Sequence, residues 1–355
     1  MEISAILRQF SVDLPAKPFG NGHINSTFQV GDPARYVLQK INTAVFTDPD
    51  GLMENVVAVT AYLREQIAKA GGDPNRETLT YLPTTDGNYI YRDGEGNCWR
   101  MYRFIGDADA YDRATPELFA ESARAFGRFQ RMLSDFPAHT LHETIPRFHD
   151  TGARLEQLKT AIRENRSGRA DAVRAEIDFA LARAAETRVI TNAIADGSVP
   201  LRVTHNDTKL NNVLFDHKTG KSLCVIDLDT VMPGSLLYDY GDALRFGAST
   251  AAEDETDLSK VHFDLDLFRA YTEAYLDVLG DRMTKREIEL LPMGAKLITL
   301  ENGMRFLADH LNGDVYFRVH REGHNLDRAR TQFKLVAEME EKADKMKAFV
   351  QAGIT

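Results

Sequence analysis

Residues 203–230 read VTHNDTKLNNVLFDHKTGKSLCVIDLDT, and the reading of this stretch decides the rest of the chain. Two short apolar runs, Asn212–Phe215 and Ser222–Ile226, predict strands joined by a polar turn ending at Gly220. Each has oxygen-bearing side chains at one end: Asp207 and Asn212 flank the first, Asp227 and Asp229 follow the second. Pairing the strands would draw those ends together. Asp227 and Asp229 are two apart, so extended backbone would point both carboxylates to one face. An amide and carboxylates, with no thiolate and one nearby imidazole, form a hard oxygen set that suits Mg²⁺ rather than zinc. A further carboxylate beside such a metal is placed to orient an attacking hydroxyl, and those are the parts phosphoryl transfer needs. Taken singly, each acid reads as a turn residue or a loop cap. H-N-D-x-x-x-x-N followed after one hairpin by I-D-x-D is a joint pattern that turns do not require.

Upstream of this island the first hundred residues are β-rich. Ile24–Val30 and Tyr36–Ile41 predict a hairpin across Gly31-Asp32-Pro33. Leu52, Val56, Val59, Leu63 and Ile67 recur at helical spacing, with Gly71-Gly72 as the stop. Short strands are expected at Glu77–Leu82, Asn88–Tyr91 and Trp99–Ile105. Thr115-Pro116-Glu117 then announces a helix, with an N-cap, proline at the first position and acid in the first turn. The Ala-, Arg- and Glu-rich stretch Arg154–Asp196 reads as helices with a solvated face, and helices resume after the island. A β-rich front and a helical back predict a small lobe and a large lobe, with a cleft near residue 106.

The composition narrows the function classes. The 355 residues carry 43 Lys+Arg against 53 Asp+Glu, net −10, a poor balance for binding nucleic acid or an anionic membrane surface. Cys98 and Cys224 stand alone, without metal-ligand spacing, and read as reduced buried thiols. With no apolar run of membrane length and no leader-like N-terminus, a cytoplasmic location is expected.

HNDTKLNN resembles the catalytic loop of the protein-kinase-like superfamily, whose H-R-D-x-x-x-x-N supplies a base and a metal-binding asparagine. IDLD resembles the metal-binding segment that stands where protein kinases carry DFG. The HND form, the I-D-x-D and the following YDYGD are similar to the aminoglycoside phosphotransferase and choline kinase branch; DFG and APE are absent from the sequence. Longer blocks resemble the N-acetylhexosamine 1-kinase family over nearly the whole chain: GNGHINSTFQV, RYVLQKIN, FHDT, LRVTHNDTKLNNVLFD, IDLDTVMPGSLLYDYGDALRFGAS, HFDLDLFRAYTEAY and NGMRFLADHLNGDVYF.

The resemblance implies an α+β, protein-kinase-like two-lobed fold. Residues 1–105 would be a nucleotide-binding β-rich N-lobe with one main helix, and 106–355 a mostly helical C-lobe with the catalytic loop and sugar pocket. It implies ATP as co-substrate, Mg²⁺ as cofactor, and the C1 hydroxyl of N-acetylgalactosamine or N-acetylglucosamine as acceptor; no protein partner is implied. Asp207 would be the base and Lys209 would stand near the γ-phosphate. Asn212 and Asp227 would ligate the metal, with Asp229 a second-tier metal or sugar contact. His23 would face the sugar from a loop resembling the glycine-rich phosphate flap, to which Gly22 and Asn25 belong. Read alone, Gly20-Asn21-Gly22-His23 is a plain turn. Arg305 and Tyr316 match ring-holding residues, and Asp242 and Arg245 are either pocket residues or an i,i+3 helical pair.

One departure concerns the strand Tyr36–Lys40, where kinases place a phosphate-holding lysine. The apolar pattern aligns Gln39 there, with Lys40 on the opposite face, and both remain candidates. Glu54 and Glu65 both remain candidates for the helix glutamate that would pair with it. The competing reading is a kinase of a cationic alcohol, of choline or aminoglycoside type, for which Asp207, Asp229, Asp239 and Asp242 would supply negative charge.

Overall fold

The computed structural model describes residues 2–20 and 24–353. The chain forms two compact units, each assembled from several segments. The first comprises Met1–Ala110, Met132–Pro146 and Asn211–Pro233; the second comprises Tyr111–Arg131, Arg147–Leu210 and Gly234–Thr355. A single cut at 105/106 therefore follows the chain order of the β-rich front but not the membership of the units. The predicted hairpin joins the first unit because its strand pairs with residues 108–109.

In the first unit, β1 (Ala16–Pro18), β2 (Ser26–Val30), β3 (Tyr36–Ile41), β4 (Tyr81–Leu82), β5 (Tyr91–Arg92) and β6 (Cys98–Arg103) form one antiparallel sheet. Its order is β1-β2-β3-β6-β4, with β5 also on β6. The register sets Val30 opposite Tyr36 and Gln39 opposite Arg100. Leu38, Trp99 and Met101 therefore share one face, packed with Ile6 and Leu7 of helix α1 (Ile3–Arg8) and with Phe10. Lys40, opposite Trp99, shares that side of the sheet; Gln39 and Arg100 project from the other. Helix α2 (Pro49–Lys69) starts where proline and a capping Asp48, which accepts from the Gly51 amide at 3.0 Å, direct it. Leu52, Val56, Val59, Leu63 and Ile67 are all buried, as the spacing predicts. The strands expected at 77–82 and 88–91 shrink to Tyr81–Leu82 and Tyr91–Arg92.

The island folds close to expectation. After β7 (Ala108–Asp109) and, in the second unit, β8 (Arg202–Thr204), β9 (Val213–Asp216) pairs antiparallel with β10 (Ser222–Val225), and β9 also pairs with β7. Cys224 and Cys98 are buried and unbridged.

The second unit is helical. It contains α3 (Pro116–Met132), α4 (Thr151–Glu164), α5 (Arg174–Leu181), α6 (Val189–Ala195), α7 (Leu236–Gly247), α8 (Leu265–Leu279), α9 (Lys285–Asn312), α10 (His324–Glu341) and α11 (Ala343–Ala352). Thr115 starts α3 by accepting the Leu118 amide at 3.3 Å. Helix α9 is the spine, buried along most of its length between α4, α7 and α10. Its approach to α7 is close enough to need glycine on both helices. A Cβ at Gly241 would lie 2.4 Å from the Gly294 carbonyl oxygen, and one at Gly294 2.8 Å from that of Leu237. That contact fixes the helix from which the HND loop is held. Among the described residues, no helix is long and apolar enough to cross a membrane.

Candidate active site

Asp207 lies in the loop after β8, and α7 holds that loop. Ser235 caps α7, accepting the Leu237 amide at 3.2 Å, and Asp239 and Asp242 follow three apart on one helix face. Asp239 is fully buried. Its Oδ2 accepts the His205 amide at 2.9 Å and Gln130 Nε2 at 2.6 Å, and its Oδ1 accepts the Asn206 amide at 2.7 Å. Asp242 Oδ2 accepts the Thr208 amide at 2.9 Å, and the Thr208 hydroxyl donates to the Asp239 carbonyl at 2.6 Å. One helix face thus pins backbone on both sides of Asp207. The Asp207 amide donates to His205 Nδ1 at 3.2 Å. The imidazole is wedged against Phe126 and Phe129, with ring centroids 5.5 and 6.0 Å away.

Asn206 adopts the left-handed conformation, φ +66°, which costs a non-glycine residue about 1 kcal/mol and persists only where neighbours impose it. The Asp239 bond is one such neighbour. His149 is another: its Nε2 lies 3.4 Å from the Asn206 carbonyl oxygen, and its Nδ1 meets Glu301 Oε1 at 2.9 Å. Glu301 is fully buried and also accepts from the Thr151 hydroxyl at 2.8 Å.

The Asp207 carboxylate is 2.7 Å from Lys209 Nζ. Burial pushes the carboxyl up, but the Lys209 charge and hydrogen bond outweigh it and hold Asp207 below its ordinary value of 3.8. Burial likewise disfavours the Lys209 ammonium, while Asp207 and Asp242 keep it charged. Lys209 also lies over the Phe246 ring, 5.2 Å from its centroid. Asp242 and Arg245 form the i,i+3 pair, 3.2 Å apart and both buried. Arg245 continues to Glu253 at 2.6 Å and stacks on Phe246 at 3.7 Å. Asp242 braces the loop through the Thr208 amide, and Arg245 holds Asp242.

Arg305 and Tyr316 stand at the far end of α9 and in the turn after it. Arg305 donates to the Asn302 amide oxygen at 3.3 Å and lies over Phe148 and Phe317, 5.5 and 5.4 Å from their centroids. Burial and the nearby Arg305 charge push the Arg154 guanidinium below its ordinary value. Tyr316 is 70% exposed. Asp309 builds its turn: Oδ1 accepts the Val315 and Tyr316 amides at 3.0 and 2.9 Å, and Oδ2 accepts that of Phe317 at 2.9 Å.

In the first unit, the Ile226 amide donates to the Asn212 carbonyl at 2.9 Å, which sets Asn212 beside the residue preceding Asp227. The expected extended backbone from Asp227 to Asp229 is not observed. Asp227 is left-handed (φ +60°, ψ +59°) and Leu228–Thr230 form a tight helical turn, so strand alternation does not decide where the two carboxylates point. A non-glycine residue held in this region is the kind of local strain that accumulates at functional sites. Asp229 is buried. Its Oδ2 accepts Asn25 Nδ2 at 2.6 Å, and Arg100 Nη2 stands 2.5 Å from its Oδ1 as an ion-pair contact. Gln39, opposite Arg100, accepts Arg100 Nε and Nη2 on its amide oxygen at 3.0 and 2.8 Å. Gln39, not Lys40, is therefore on the face that reaches Asp229. The two glutamates look elsewhere, Glu54 to His142 at 2.6 Å and Glu65 to Lys69 at 3.9 Å. His23 and Gly22 lie outside the described residues.

Sequence reasoning missed Asp239, His149, Glu301, Asp309 and Arg100 as site-building residues. Two had a local signal. Asp239 sits in YDYGD at the start of a capped helix, and His149 sits in FHDT; the others are defined by partners far away in the chain.

A β-sheet unit rich in short antiparallel strands and a helical unit carrying an H-N-D loop make this a protein-kinase-like α+β protein. The chain belongs to the phosphotransferase enzyme family (APH), which matches residues 15–278. Its structure is similar to an aminoglycoside phosphotransferase from Alicyclobacillus acidocaldarius, at 13% identity over 100% of this chain and 96% of that one, with a TM-score of 0.64. A microcompartment-associated aminopropanol kinase aligns at 15% identity over 97% and 98%, TM-score 0.60. An amicoumacin kinase in complex with AMP-PNP and Ca²⁺ aligns at 12% identity over 96% and 94%, TM-score 0.59. At these identities the likeness is one of fold.

Proposed function

We propose that this phosphotransferase moves the γ-phosphoryl group of ATP to the anomeric hydroxyl of N-acetylgalactosamine or N-acetylglucosamine, giving the sugar 1-phosphate. The observation that carries the choice of acceptor is charge compensation. Of the four acids a cationic acceptor would need, Asp207 is paired with Lys209, Asp229 with Arg100 and Asp242 with Arg245. Asp239 is spent on buried backbone amides. Arg305 meanwhile rests on an amide and two ring faces, where its charge disfavours a cation and its donors suit sugar hydroxyls.

Asp207 aligns the O1–H and takes its proton as the new P–O bond forms and ADP departs. A loose transition state asks for orientation more than basicity, and a carboxylate held ionised by Lys209 fits that demand. Lys209, 2.7 Å from Asp207, would share its charge with the γ-phosphate as the proton arrives on Asp207. Asn212 and Asp227, an amide and a carboxylate, are the residues that would hold Mg²⁺, with Asp229 in a second tier. Bound there, Mg²⁺ would neutralise charge on the phosphates. His23 and Tyr316 would complete the sugar contacts, with Gly22 and Asn25 on the nucleotide flap. Residues 1–105 would serve mainly the nucleotide and 106–355 the acceptor, in the cytoplasm where ATP is supplied.

Because the Asp207 carboxyl lies below its ordinary value, its ionised form persists throughout the range above pH 4. The profile of kcat/KM against pH should therefore show no Asp207 limb between about pH 5 and 8, above the usual carboxylate range. Lys209→Met removes the compensating charge and leaves the burial, so an acidic limb should appear and move to higher pH. A Lys209→Met profile without any upward move would contradict the pairing.

ADP release with MgATP, measured across N-acetylgalactosamine, N-acetylglucosamine, galactose, choline, 1-amino-2-propanol and an aminoglycoside, tests the acceptor. The resemblance to an aminopropanol kinase makes an amino alcohol the competing substrate. Turnover confined to the cationic acceptors would remove the sugar reading.

A further inference from the structure

Arg100 is an arginine with 1% exposure in a sheet whose neighbours are mostly apolar. Burying a guanidinium is costly unless every side of it is answered. Here Gln39 accepts two of its N–H groups, Asp229 faces it across a 2.5 Å ion pair, the Tyr81 ring lies 5.8 Å away and the Met53 sulfur 3.8 Å. Gln39 is itself fixed, donating through Nε2 to the Thr27 hydroxyl at 3.2 Å. The chain Thr27–Gln39–Arg100–Asp229–Asn25 crosses β2, β3 and β6 and returns to Asn25, just before β2, whose Oδ1 also accepts the Asn42 amide just after β3 at 2.9 Å. It ends on the second acid of I-D-x-D.

We infer that Arg100 is a positioning residue that holds Asp229 neutralised by an ion pair, so that Asp229 stays out of the metal's ligand set. The inference rests on the reading of Asp227 as a metal ligand. Arg100 is too buried to touch a phosphate itself; it acts through Asp229. The strand cation of a kinase, ordinarily opposite a helix glutamate, is here moved one strand over and opposite an aspartate. Gln39 occupies the vacated strand position as a neutral bracket. Asp229 Oδ2 accepts from Asn25, and Oδ1, which has no hydrogen-bond partner, faces the Arg100 charge 2.5 Å away. Without Arg100, two carboxylates would stand within one I-D-x-D segment, a site that would hold a bare divalent cation more tightly and repel a triphosphate.

The test is a Mn²⁺ titration of the nucleotide-free enzyme by electron paramagnetic resonance at pH 8, with KM for MgATP and kcat measured alongside. Arg100→Gln should bind Mn²⁺ about tenfold more tightly and raise KM for MgATP by a similar factor, with kcat changing less. The charge-balanced double variant R100Q/D229N, whose buried pair is replaced by two amides, should return Mn²⁺ affinity to within about twofold of wild type. Asp227→Asn is the control and should lose affinity about tenfold or more. If the double variant is folded by circular dichroism and loses Mn²⁺ about tenfold, Asp229 is a ligand and the inference fails. It fails too if folded Arg100→Gln binds Mn²⁺ no more tightly. Should Arg100→Gln alone not fold, the double variant decides by itself. If Asp227→Asn keeps full affinity, the metal reading is wrong and the inference falls with it; loss at Asp227 without the other effects sinks the inference alone.

Discussion

Asp207→Asn is expected to lower kcat by about 10²- to 10⁴-fold, the range in which a positioned general base contributes. The substitution is nearly isosteric, and the loop does not depend on the carboxylate for its shape. Its amides are held at positions 205, 206 and 208 by Asp239 and Asp242. An asparagine can still point at the acceptor hydroxyl but cannot receive its proton. It also releases Lys209 from its partner, so the ammonium is free to interact with phosphate, and the KM for MgATP should stay level or fall. Steady-state kinetics with circular dichroism and a thermal melt separate these effects. A folded Asp207→Asn enzyme turning over at near-wild-type rate would show that the proton goes elsewhere.

The largest effect on stability is expected at Asp239. Alanine there would strand three buried donors, the His205 and Asn206 amides and the Gln130 side chain. Each unsatisfied buried group costs about 1–3 kcal/mol, so a combined loss of about 3–9 kcal/mol is expected against a typical total of about 5–15. The left-handed Asn206 would also lose the bond that holds it there. Asp239→Asn keeps the volume and one acceptor but turns an NH₂ group toward a backbone donor, and should fall between alanine and wild type. Urea unfolding measures both. Activity should collapse in Asp239→Ala even under conditions where the protein remains folded, because the backbone on both sides of Asp207 loses its anchor. A variant with wild-type stability would mean that water replaces the carboxylate at no cost, which the buried position does not favour.

What could be read from the sequence was what local rules determine. The hairpin β2–β3, helix α2 with its proline and aspartate start, and the strands β9 and β10 follow from alternation, helical spacing and turn residues. The H-N-D loop was legible because its chemistry is packed into a few consecutive residues. The misreading at Asp227–Asp229 has a physical cause: alternation holds only while the backbone stays extended, and at Asp227 it turns left-handed. Nothing local announces that turn, since aspartate is no glycine. The Arg100–Asp229 pair was hidden because its partners are brought together only by the folded sheet and the turn after β10. Asp239 was counted as negative charge available to a substrate, yet three donors already consume it. A carboxylate's formal charge in a sequence does not say what it faces.

The most direct test of the central claim is to identify the oxygen that receives the phosphoryl group. Wild-type enzyme would be incubated with MgATP and N-acetylgalactosamine, and the product examined by phosphorus–proton correlation and by acid lability. The account predicts a phosphorus coupled to the anomeric proton, an acid-labile ester, and no product from Asp207→Asn over the same time. A phosphate on any other hydroxyl, or transfer only to amine-bearing acceptors, would contradict it.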